Sequence, residues 1–328
     1  MIERLLLLES RSNDIYANLA LEQYLAQNVK SSWCILFLWR NSPCVVIGRN
    51  QNAYRECRTD LLDRMGVKLS RRLSGGGAVY QDLGNLNFTF CTRQEDSDIK
   101  KQQNVILEAC RSLAVDAGLS GRNDMLVGER KFSGNSFYTH DGVGFHNGTL
   151  LLDVDLKAME KCLSPSDLKL SSKSVDSVRS RVVNLHDINA AIDSKTMCKA
   201  INKAFSMVYG LDVQRFFYDS IDMEDLEKKR QFFSSYEWIY GKNADFPLTV
   251  SGRFTWGEIS VSLQVRNAVC TDVKVYTDAL DHNLAPAIET VLRGAKYSVS
   301  QLCLRIEGAR LDTIYSNDIC SMLQKELG

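Results

Sequence analysis

One stretch of the chain combines glycine and arginine in a pattern that suits the binding of an anion. It covers residues 71–80, RRLSGGGAVY in one-letter code, and continues as QDLGN to Asn85. Glycine has no Cβ and adopts positive φ, so backbone N–H groups of such a loop can approach and cradle an anion. The two arginines can supply bidentate charge to a phosphate or carboxylate. A flexible surface loop is the alternative, and the arginines with the Asp-x-Gly-Asn continuation favour a ligand loop.

Three other stretches carry residues that could take part in chemistry. Residues 120–134, SGRNDMLVGERKFSG, predict strand, hairpin and strand, with Lys131 inside the second strand. A lysine there usually points outward, and the alternative is a charge aimed into a site. Residues 144–152, GFHNGTLLL, predict a strand that carries His146, although a lone histidine more often has a structural role. Arg49, in the polar loop 48–52, could bind an anion or be solvated.

The composition is that of a globular protein without a global charge. Hydrophobic residues make up 45% of the 328 residues, and 40 Lys and Arg balance 40 Asp and Glu. This length predicts two domains, or one large domain with an appendage. Zero net charge provides no broad basic field for nucleic acid, so an anion site must be local. No apolar run reaches the roughly 18 residues of a membrane span, and the first residues resemble neither a signal nor a transit peptide.

The cysteines and the missing motifs exclude several classes of site. None of the ten cysteines is in Cys-x-x-Cys spacing and no His pair accompanies them, so we expect free thiols in a reducing compartment and no metal. The chain has no P-loop, no strand-borne Gly-x-Gly-x-x-Gly, no nucleophile elbow and no kinase motif set. A nucleotide, if one binds, must therefore be held by another kind of loop.

Hydrophobic periodicity predicts alternating strands and helices up to residue 240 and a second unit after it. The predicted strands are 5–8, 34–39, 44–47 and a half-buried strand at 86–90. The predicted helices are 14–27, 60–65, 99–117, 156–163, 194–209 and 222–234, with the third ending at Gly118 and the fifth capped by Ser194. Residues 164–181 predict a long loop of the kind that forms functional lids. After a boundary at 236–247, strands at 253–259, 261–265 and 269–276 predict a β-meander, followed by three short helices.

Taken together, these motifs resemble the lipoate–protein ligase A family, and most closely its mitochondrial lipoyltransferase branch. The likeness covers most of the first 240 residues and rests on the order and spacing of GRNQN at 48–52, RRLSGGGAVYQDLGN at 71–85, RKFSG at 130–134 and GFHNGTL at 144–150. The resemblance implies an α+β fold. A catalytic domain (1–240) is built on a mixed, mostly antiparallel sheet, as in biotin ligases and class II synthetases, and a small α+β domain (247–328) follows.

The resemblance also implies an activity and a site. The enzyme would transfer a lipoyl group from lipoyl-AMP, its substrate, to a lysine of apo lipoyl domains in 2-oxo acid dehydrogenase complexes and the glycine cleavage H protein. Lys131 would be the catalytic residue that steadies the phosphate and the oxyanion. The other residues expected to hold the adenylate are Arg72, Ser74, Gly75, Gly76, Gly77, Ala78, Val79, Tyr80, Asn85, Asn123, His146 and Thr149.

The chain departs from the bacterial ligases in one place, because its segment between Asp124 and Lys131 is shorter than theirs. The longer loop of those ligases helps to enclose the nucleotide during activation, so we expect a transferase that uses preformed lipoyl-AMP. A complete ligase that uses lipoate, ATP and Mg²⁺ is the alternative, and a non-catalytic adenylate-binding protein is a third possibility. We further expect a monomer in the mitochondrial matrix, with no permanently bound cofactor, no metal, no nucleic acid and no membrane partner.

Overall fold

The computed structural model describes residues 1–121, 123–163, 182–240 and 248–327. The loop predicted at 164–181 and much of the expected domain boundary lie outside these residues. In the first 240 residues the strands are β1 (Arg4–Glu9), β2 (Trp33–Trp39), β3 (Cys44–Ile47), β4 (Lys68–Arg71), β5 (Val79–Gln81), β6 (Asn85–Arg93), β7 (Ala117–Ser120), β8 (Asp124–Val127), β9 (Arg130–His140), β10 (Val143–Leu151) and β11 (Val213–Arg215). The α-helices are α1 (Ile15–Asn28), α2 (Ala53–Glu56), α3 (Thr59–Met65), α4 (Ile99–Ser112), α5 (Leu156–Cys162), α6 (Leu185–Ile188), α7 (Ser194–Tyr209), α8 (Met223–Ser234) and α9 (Tyr236–Tyr240).

An eight-stranded sheet forms the frame of this part, in the order β11-β1-β2-β6-β10-β9-β8-β7. Strands β11, β1 and β2 are parallel, and every later neighbour pair is antiparallel. The sheet is therefore mixed and mostly antiparallel, as the resemblance to the ligase family implies. As a result, the end of β2, the beginning of β6, the end of β10 and the beginning of β9 all lie at the same end of the sheet.

Helices cover both faces of the large sheet. Helices α4 and α7 pack on one face with Phe88 and Phe90, and helices α1 and α8 pack on the other face with Phe37 and Trp39. For this reason β6 is buried over its first eight residues. The prediction of a half-buried strand at 86–90 is thus wrong, because polar Asn87 and Thr89 face a helix-covered layer and not solvent.

A second, three-stranded sheet carries the glycine-rich segment. Its order is β4-β3-β5, with β3 parallel to β4 and antiparallel to β5. Residues 72–78, which we call the glycine loop, connect the end of β4 to the start of β5. The loop is therefore anchored at both ends in one small sheet.

The remaining residues form an antiparallel meander with its own hydrophobic core. It consists of β12 (Leu248–Phe254), β13 (Gly257–Arg266) and β14 (Val269–Thr277), packed against α10 (Leu284–Leu292), α11 (Val299–Glu307) and α12 (Thr313–Leu327). The strand break predicted at Ser260 is wrong. Ser260 lies inside β13, where the Ser251 hydroxyl donates to its hydroxyl at 3.0 Å across the sheet. The chain turns earlier, at residues 255–256, within the strand predicted at 253–259.

Two helix ends differ from the prediction for local reasons. Helix α4 ends at Ser112, before the expected Ala117, because Ala114 takes φ +57° and turns the chain back so that Val115 is buried. Helix α7 is capped by Asp193 and not by Ser194. The Asp193 carboxylate accepts the Thr196 N–H at 2.7 Å, which satisfies one of the free donors at the helix start.

Candidate active site

A cavity of about 670 Å³ lies between the glycine loop and strands β9 and β10. Its apolar lining comes from Leu19, Trp39, Val46, Ala78 and Val79. The polar and charged side chains that line it are Arg72, Gln81, Asn87, Asn123, Lys131, Asn135, Ser136, Asn147 and Thr149, and the glycines are Gly76, Gly77, Gly134 and Gly148. A slot with these properties can hold an apolar chain beside an anionic group.

The structure brings eight of the expected site residues to the cavity wall: Arg72, Gly76, Gly77, Ala78, Val79, Asn123, Lys131 and Thr149. Ser74, Gly75, Tyr80, Asn85 and His146 lie behind the wall. The side chain of Tyr80 packs in a core on the other side of β5, with Val45 and Ile47, because side chains alternate along a strand. Arg49 also lies outside the lining, with its guanidinium 5.8 Å from the Trp238 ring.

Lys131 reaches the cavity from the second position of β9. Its Nζ lies 2.7 Å from Asp124 Oδ1 on the neighbouring strand, and its side chain is about one-third exposed (37%). A Cβ at Gly134 would lie 2.9 Å from Nζ, so the glycine leaves room for the lysine to fold across the strand. The ammonium group is thereby held at the cavity beside Asp124, and the side chain remains partly open to solvent.

Arg72 shapes the glycine loop from within. Its side chain is buried and donates hydrogen bonds to the carbonyls of Gly75 (2.6 Å), Gly77 (2.9 Å) and Val46 (3.2 Å). Burial lowers the pKa of Arg72 to about 10, and the nearby Glu22 carboxylate opposes that fall. The guanidinium therefore stays charged near neutral pH and holds the loop in one shape beside the cavity.

Arg71 has a structural role that the sequence does not reveal. Its side chain is fully buried and donates to five backbone carbonyls, those of Gly48, Arg49, Gln51, Trp238 and Ile239. These carbonyls belong to the 48–52 loop and to α9. Arg71 therefore ties both segments to the strand that leads into the glycine loop, and it is not available for a ligand.

We expect Arg71→Leu to lower the free energy of unfolding by about 3 kcal/mol, because several buried carbonyls would lose a charged donor. Chemical denaturation measures the effect. Arg64→Leu is the control, because Arg64 is an exposed arginine on α3. Equal stability of the two variants would show that the five hydrogen bonds contribute little.

A buried hydrogen-bond network connects the glycine loop to α1. Ser74 Oγ lies 2.9 Å from Ser136 Oγ, and the Ser136 hydroxyl donates to Asn147 Oδ1 at 2.5 Å. The Asn147 amide and the Thr89 hydroxyl both donate to Glu22 Oε1, at 2.9 and 2.7 Å. Burial raises the pKa of Glu22 to about 7, and the bonds from Asn147 and Thr89 oppose that rise. A carboxyl group that titrates near neutrality thus sits under the cavity floor.

The raised pKa of Glu22 predicts a pH dependence of stability. Between its ordinary value of 4.5 and about 7 the folded protein binds one more proton at Glu22 than the unfolded chain does. Stability therefore falls as the pH rises through this window, by roughly 3 kcal/mol for this group. We expect Glu22→Gln to remove this slope, because Gln keeps the acceptor oxygen and does not titrate.

Denaturation of both proteins at pH 5 and pH 7.5 measures the difference in slope. The control is internal: burial lowers the pKa of His146 to about 3, which makes stability rise with pH, and this contribution is the same in both proteins. Parallel pH profiles of the parent and the variant would contradict the prediction.

His146 positions a cavity residue and does not line the cavity itself. Its Nε2 lies 2.8 Å from Asn135 Oδ1, and its ring stacks on Phe90 and Phe137. Asn135 in turn donates from its side chain to the Asn123 carbonyl at 2.9 Å. Burial lowers the pKa of His146 to about 3, so the imidazole is neutral. Its contact with Asn135 fixes the side chain that binds the Asn123 carbonyl.

Gly75 and Asn85 also act from behind the wall. A Cβ at Gly75 would lie 2.3 Å from the Ala279 carbonyl, and the Gly76 N–H donates to the same oxygen at 2.9 Å. The chain that follows β14 therefore rests directly on the glycine loop. Asn85 is fully buried, and its side-chain amide has no hydrogen-bond partner among the residues the structure describes.

Sequence reasoning missed several residues of the site: Glu22, Trp39, Gln81, Asn87, Asn135, Ser136 and Asn147. The signal that could have found some of them is polarity at alternate positions of strands that are otherwise apolar. Asn87 and Thr89 on β6, and Asn147 and Thr149 on β10, follow this pattern. Such residues need hydrogen-bond partners once helices cover the sheet.

The described residues give no sign of a metal site, a membrane-spanning helix or a cysteine in the cavity lining. It contains no group of three or more His, Cys, Asp or Glu side chains that could hold a metal ion. None of its helices is long and apolar enough to cross a membrane. All ten cysteines are free thiols, nine of them buried, and none lines the cavity.

A glycine loop, a buried arginine and a lysine around one cavity form a site that suits an anionic ligand. The family profile described as "Lipoyl protein ligase A/B catalytic domain" matches residues 14–206, and "Bacterial lipoate protein ligase C-terminus" matches residues 243–323. The chain belongs to the lipoate–protein ligase A family. It is an enzyme of the group that joins lipoyl groups to proteins.

Three relatives illustrate the similarity. The lipoate-protein ligase A of Psychrobacter cryohalolentis is 38% identical over 305 residues, which are 90% of this chain and 89% of the relative. A crystal structure of P. falciparum LipL1 in complex with lipoate matches with a TM-score of 0.86 and 28% identity, over 98% of this chain and 99% of that one. A crystal structure of lipoate-protein ligase A bound with ATP matches with a TM-score of 0.61 and 27% identity, over 73% of this chain and 98% of that one.

Proposed function

We propose that this enzyme transfers the lipoyl group from lipoyl-AMP to the ε-amine of one lysine on an apo lipoyl domain. The acceptors would be subunits of 2-oxo acid dehydrogenase complexes and the glycine cleavage H protein. The observation that carries the proposal is the position of Lys131, whose ammonium is held at a cavity formed by the glycine loop.

The reaction forms one bond and breaks one. The amine of the acceptor lysine attacks the acyl carbonyl of the mixed anhydride, the new C–N bond forms, and the C–O bond to the phosphate breaks to release AMP. Negative charge develops first on the carbonyl oxygen and then on the leaving phosphate. A fixed cation such as Lys131 stabilises both, and fixed charges of this kind usually contribute the largest part of the rate. The proton lost by the amine goes to solvent or to the phosphate.

No covalent intermediate on the enzyme is needed, because the anhydride is already activated. The chemistry of the thiols agrees with this. Burial raises the pKa of Cys34 and of Cys198 to about 12, which keeps both groups protonated at neutral pH. A protonated thiol is a poor nucleophile.

A second candidate is a complete ligase that makes lipoyl-AMP from lipoate and ATP. The similarity to a structure of lipoate-protein ligase A bound with ATP favours it, as does the ligase name of the Psychrobacter relative. Against it stands the tight connection between β8 and β9, where Gly128 and Glu129 alone separate the strands. A hairpin this short has little chain with which to cover a nucleotide.

Intact-mass analysis of an apo lipoyl domain tests both candidates. One reaction contains this enzyme and preformed lipoyl-AMP, and the other contains this enzyme with lipoate, ATP and Mg²⁺. We expect the acceptor to gain one lipoyl group in the first reaction and none in the second. Modification in both reactions would make the protein a complete ligase, and modification in neither, with the adenylate intact, would contradict the proposed transfer.

We further propose that the enzyme works as a monomer in the mitochondrial matrix. Ten free thiols are compatible with a reducing compartment of this kind. Immunofluorescence and fractionation of the source cells test the compartment, and a cytosolic signal would contradict it.

A further inference from the structure

A basic groove lies beside the active-site cavity, on the other side of Trp39. Its cationic residues are Arg40, Lys195, Lys199 and Arg215, and it has a volume of about 1060 Å³. Trp39 lines both the groove and the cavity. The groove continues along the ends of β1 and β11 into a second depression, which shares Glu9 and Arg215 with it. These cations are local, since the chain as a whole has no net charge.

Among the residues that the structure describes, no ion pair neutralises the positive charges of the groove. Glu9 is the only acidic residue in the lining that the structure describes. Within residues 1–121, 123–163, 182–240 and 248–327, none of the four cations has a carboxylate oxygen within 4 Å. Lys195, Lys199 and Arg215 are exposed and Arg40 is half-buried. The site thus presents long, solvated side chains, which suit a broad acidic surface better than a small enclosed ligand.

The strand order places this groove and Lys131 at the same end of the large sheet. Strands β11, β1 and β2 are parallel and end at Arg215, Glu9 and Trp39. Strand β6 is antiparallel to β2, β10 to β6, and β9 to β10, so β9 begins at the end of the sheet where β2 finishes. Lys131, the second residue of β9, therefore lies at that end. Four strand spacings separate β1 from β9, a distance of about 20 Å. A domain of about 100 residues, with a radius of gyration of about 13 Å, can cover both places at once.

We propose that the basic groove docks an acidic face of the acceptor lipoyl domain while the acceptor lysine enters the cavity beside Lys131. The inference rests on the proposed transfer to a protein lysine. It adds a binding surface that selects the protein and takes no part in the chemical step. Charges at such a surface raise the rate of productive encounter and make it depend on salt.

The test uses two variants of equal charge change. Lys195→Glu/Lys199→Glu reverses two charges of the groove, and Arg266→Glu/Lys296→Glu reverses two exposed charges outside it. Each enzyme receives preformed lipoyl-AMP and one of two nucleophiles. One is the apo lipoyl domain of a 2-oxo acid dehydrogenase, and the other is hydroxylamine, which is too small to touch the groove. Hydroxylamine also attacks free lipoyl-AMP directly, so the rate without enzyme is subtracted from every hydroxylamine rate.

We expect the groove variant to raise the KM for the lipoyl domain about tenfold at low salt, with transfer to hydroxylamine unchanged. High salt should reduce this difference, and the control variant should behave like the parent. An unchanged KM, an equal effect of the control variant, or an equal loss with hydroxylamine would each overturn the docking site. If the parent enzyme transferred the lipoyl group to hydroxylamine but not to the lipoyl domain, the chosen acceptor would be wrong and the docking proposal would fall with it. If it transferred to neither, the proposed function itself would fail.

Discussion

Replacing Lys131 with alanine is expected to lower the rate of lipoyl transfer by about 100-fold or more. The lysine ammonium is the cation that the fold holds at the cavity by contact with Asp124 and by the space above Gly134. Loss of one preorganised charge or donor at a developing oxyanion commonly reduces kcat by factors of 10² to 10³. Single-turnover kinetics with preformed lipoyl-AMP and an apo lipoyl domain measure this directly.

The neighbouring Arg130 provides the matched control. It lies one position earlier on β9, is exposed, and is absent from the cavity lining. We expect Arg130→Ala to transfer at close to the parent rate. Near-parent activity of Lys131→Ala, or an equal loss in both variants, would remove Lys131 from its assigned role.

The second large effect is expected from Gly48→Ala. A Cβ at this position would lie 2.0 Å from the carbonyl oxygen of Gly76, in the middle of the glycine loop. Neither backbone can give way easily, because Arg71 holds the Gly48 carbonyl and Ala279 accepts the Gly76 N–H. Overpacking of this kind costs about 1–3 kcal/mol of stability. It should also weaken lipoyl-AMP binding, because the loop would move.

Gly77→Ala is the control for stability. A Cβ at Gly77 meets no atom within 4 Å, so the substitution should leave the unfolding midpoint unchanged. Thermal or chemical denaturation of the two variants measures the contrast. Equal midpoints for Gly48→Ala and the parent would mean that the glycine loop is free to shift.

Most of the fold could be predicted because burial leaves a clear pattern along the chain. The continuous apolar run of β2 and the amphipathic helices α4 and α7 are examples. The prediction failed where a polar residue is satisfied across the structure and not by water. Ser260 in β13 and Asn87 in β6 are such residues. Ser260 has its partner on the adjacent strand β12, and Asn87 accepts from Gln81 on β5 of the smaller sheet.

The site was predictable in part for a related reason. The glycine loop is marked by residue types that are unusual in sequence, while the resemblance to the ligase family singled out Lys131. Eight of the expected residues do meet at the cavity. Glu22 and Ser136 carry no such mark, because their roles arise from contacts with Asn147, which is distant in sequence from Glu22. The different roles of Arg71 and Arg72 are likewise decided by the fold, which places the two neighbouring guanidinium groups against different backbone carbonyls.

Direct transfer of the lipoyl group from lipoyl-AMP to the acceptor lysine is best tested by the masses of both proteins in one single-turnover reaction. The enzyme is mixed with equimolar lipoyl-AMP and an apo lipoyl domain, quenched at intervals, and analysed intact. We expect the acceptor to gain one lipoyl group at a single lysine, with AMP released in equal amount, while the mass of the enzyme never changes. A lipoyl group on the enzyme itself, or free lipoate with an unmodified acceptor, would contradict direct transfer at the Lys131 cavity.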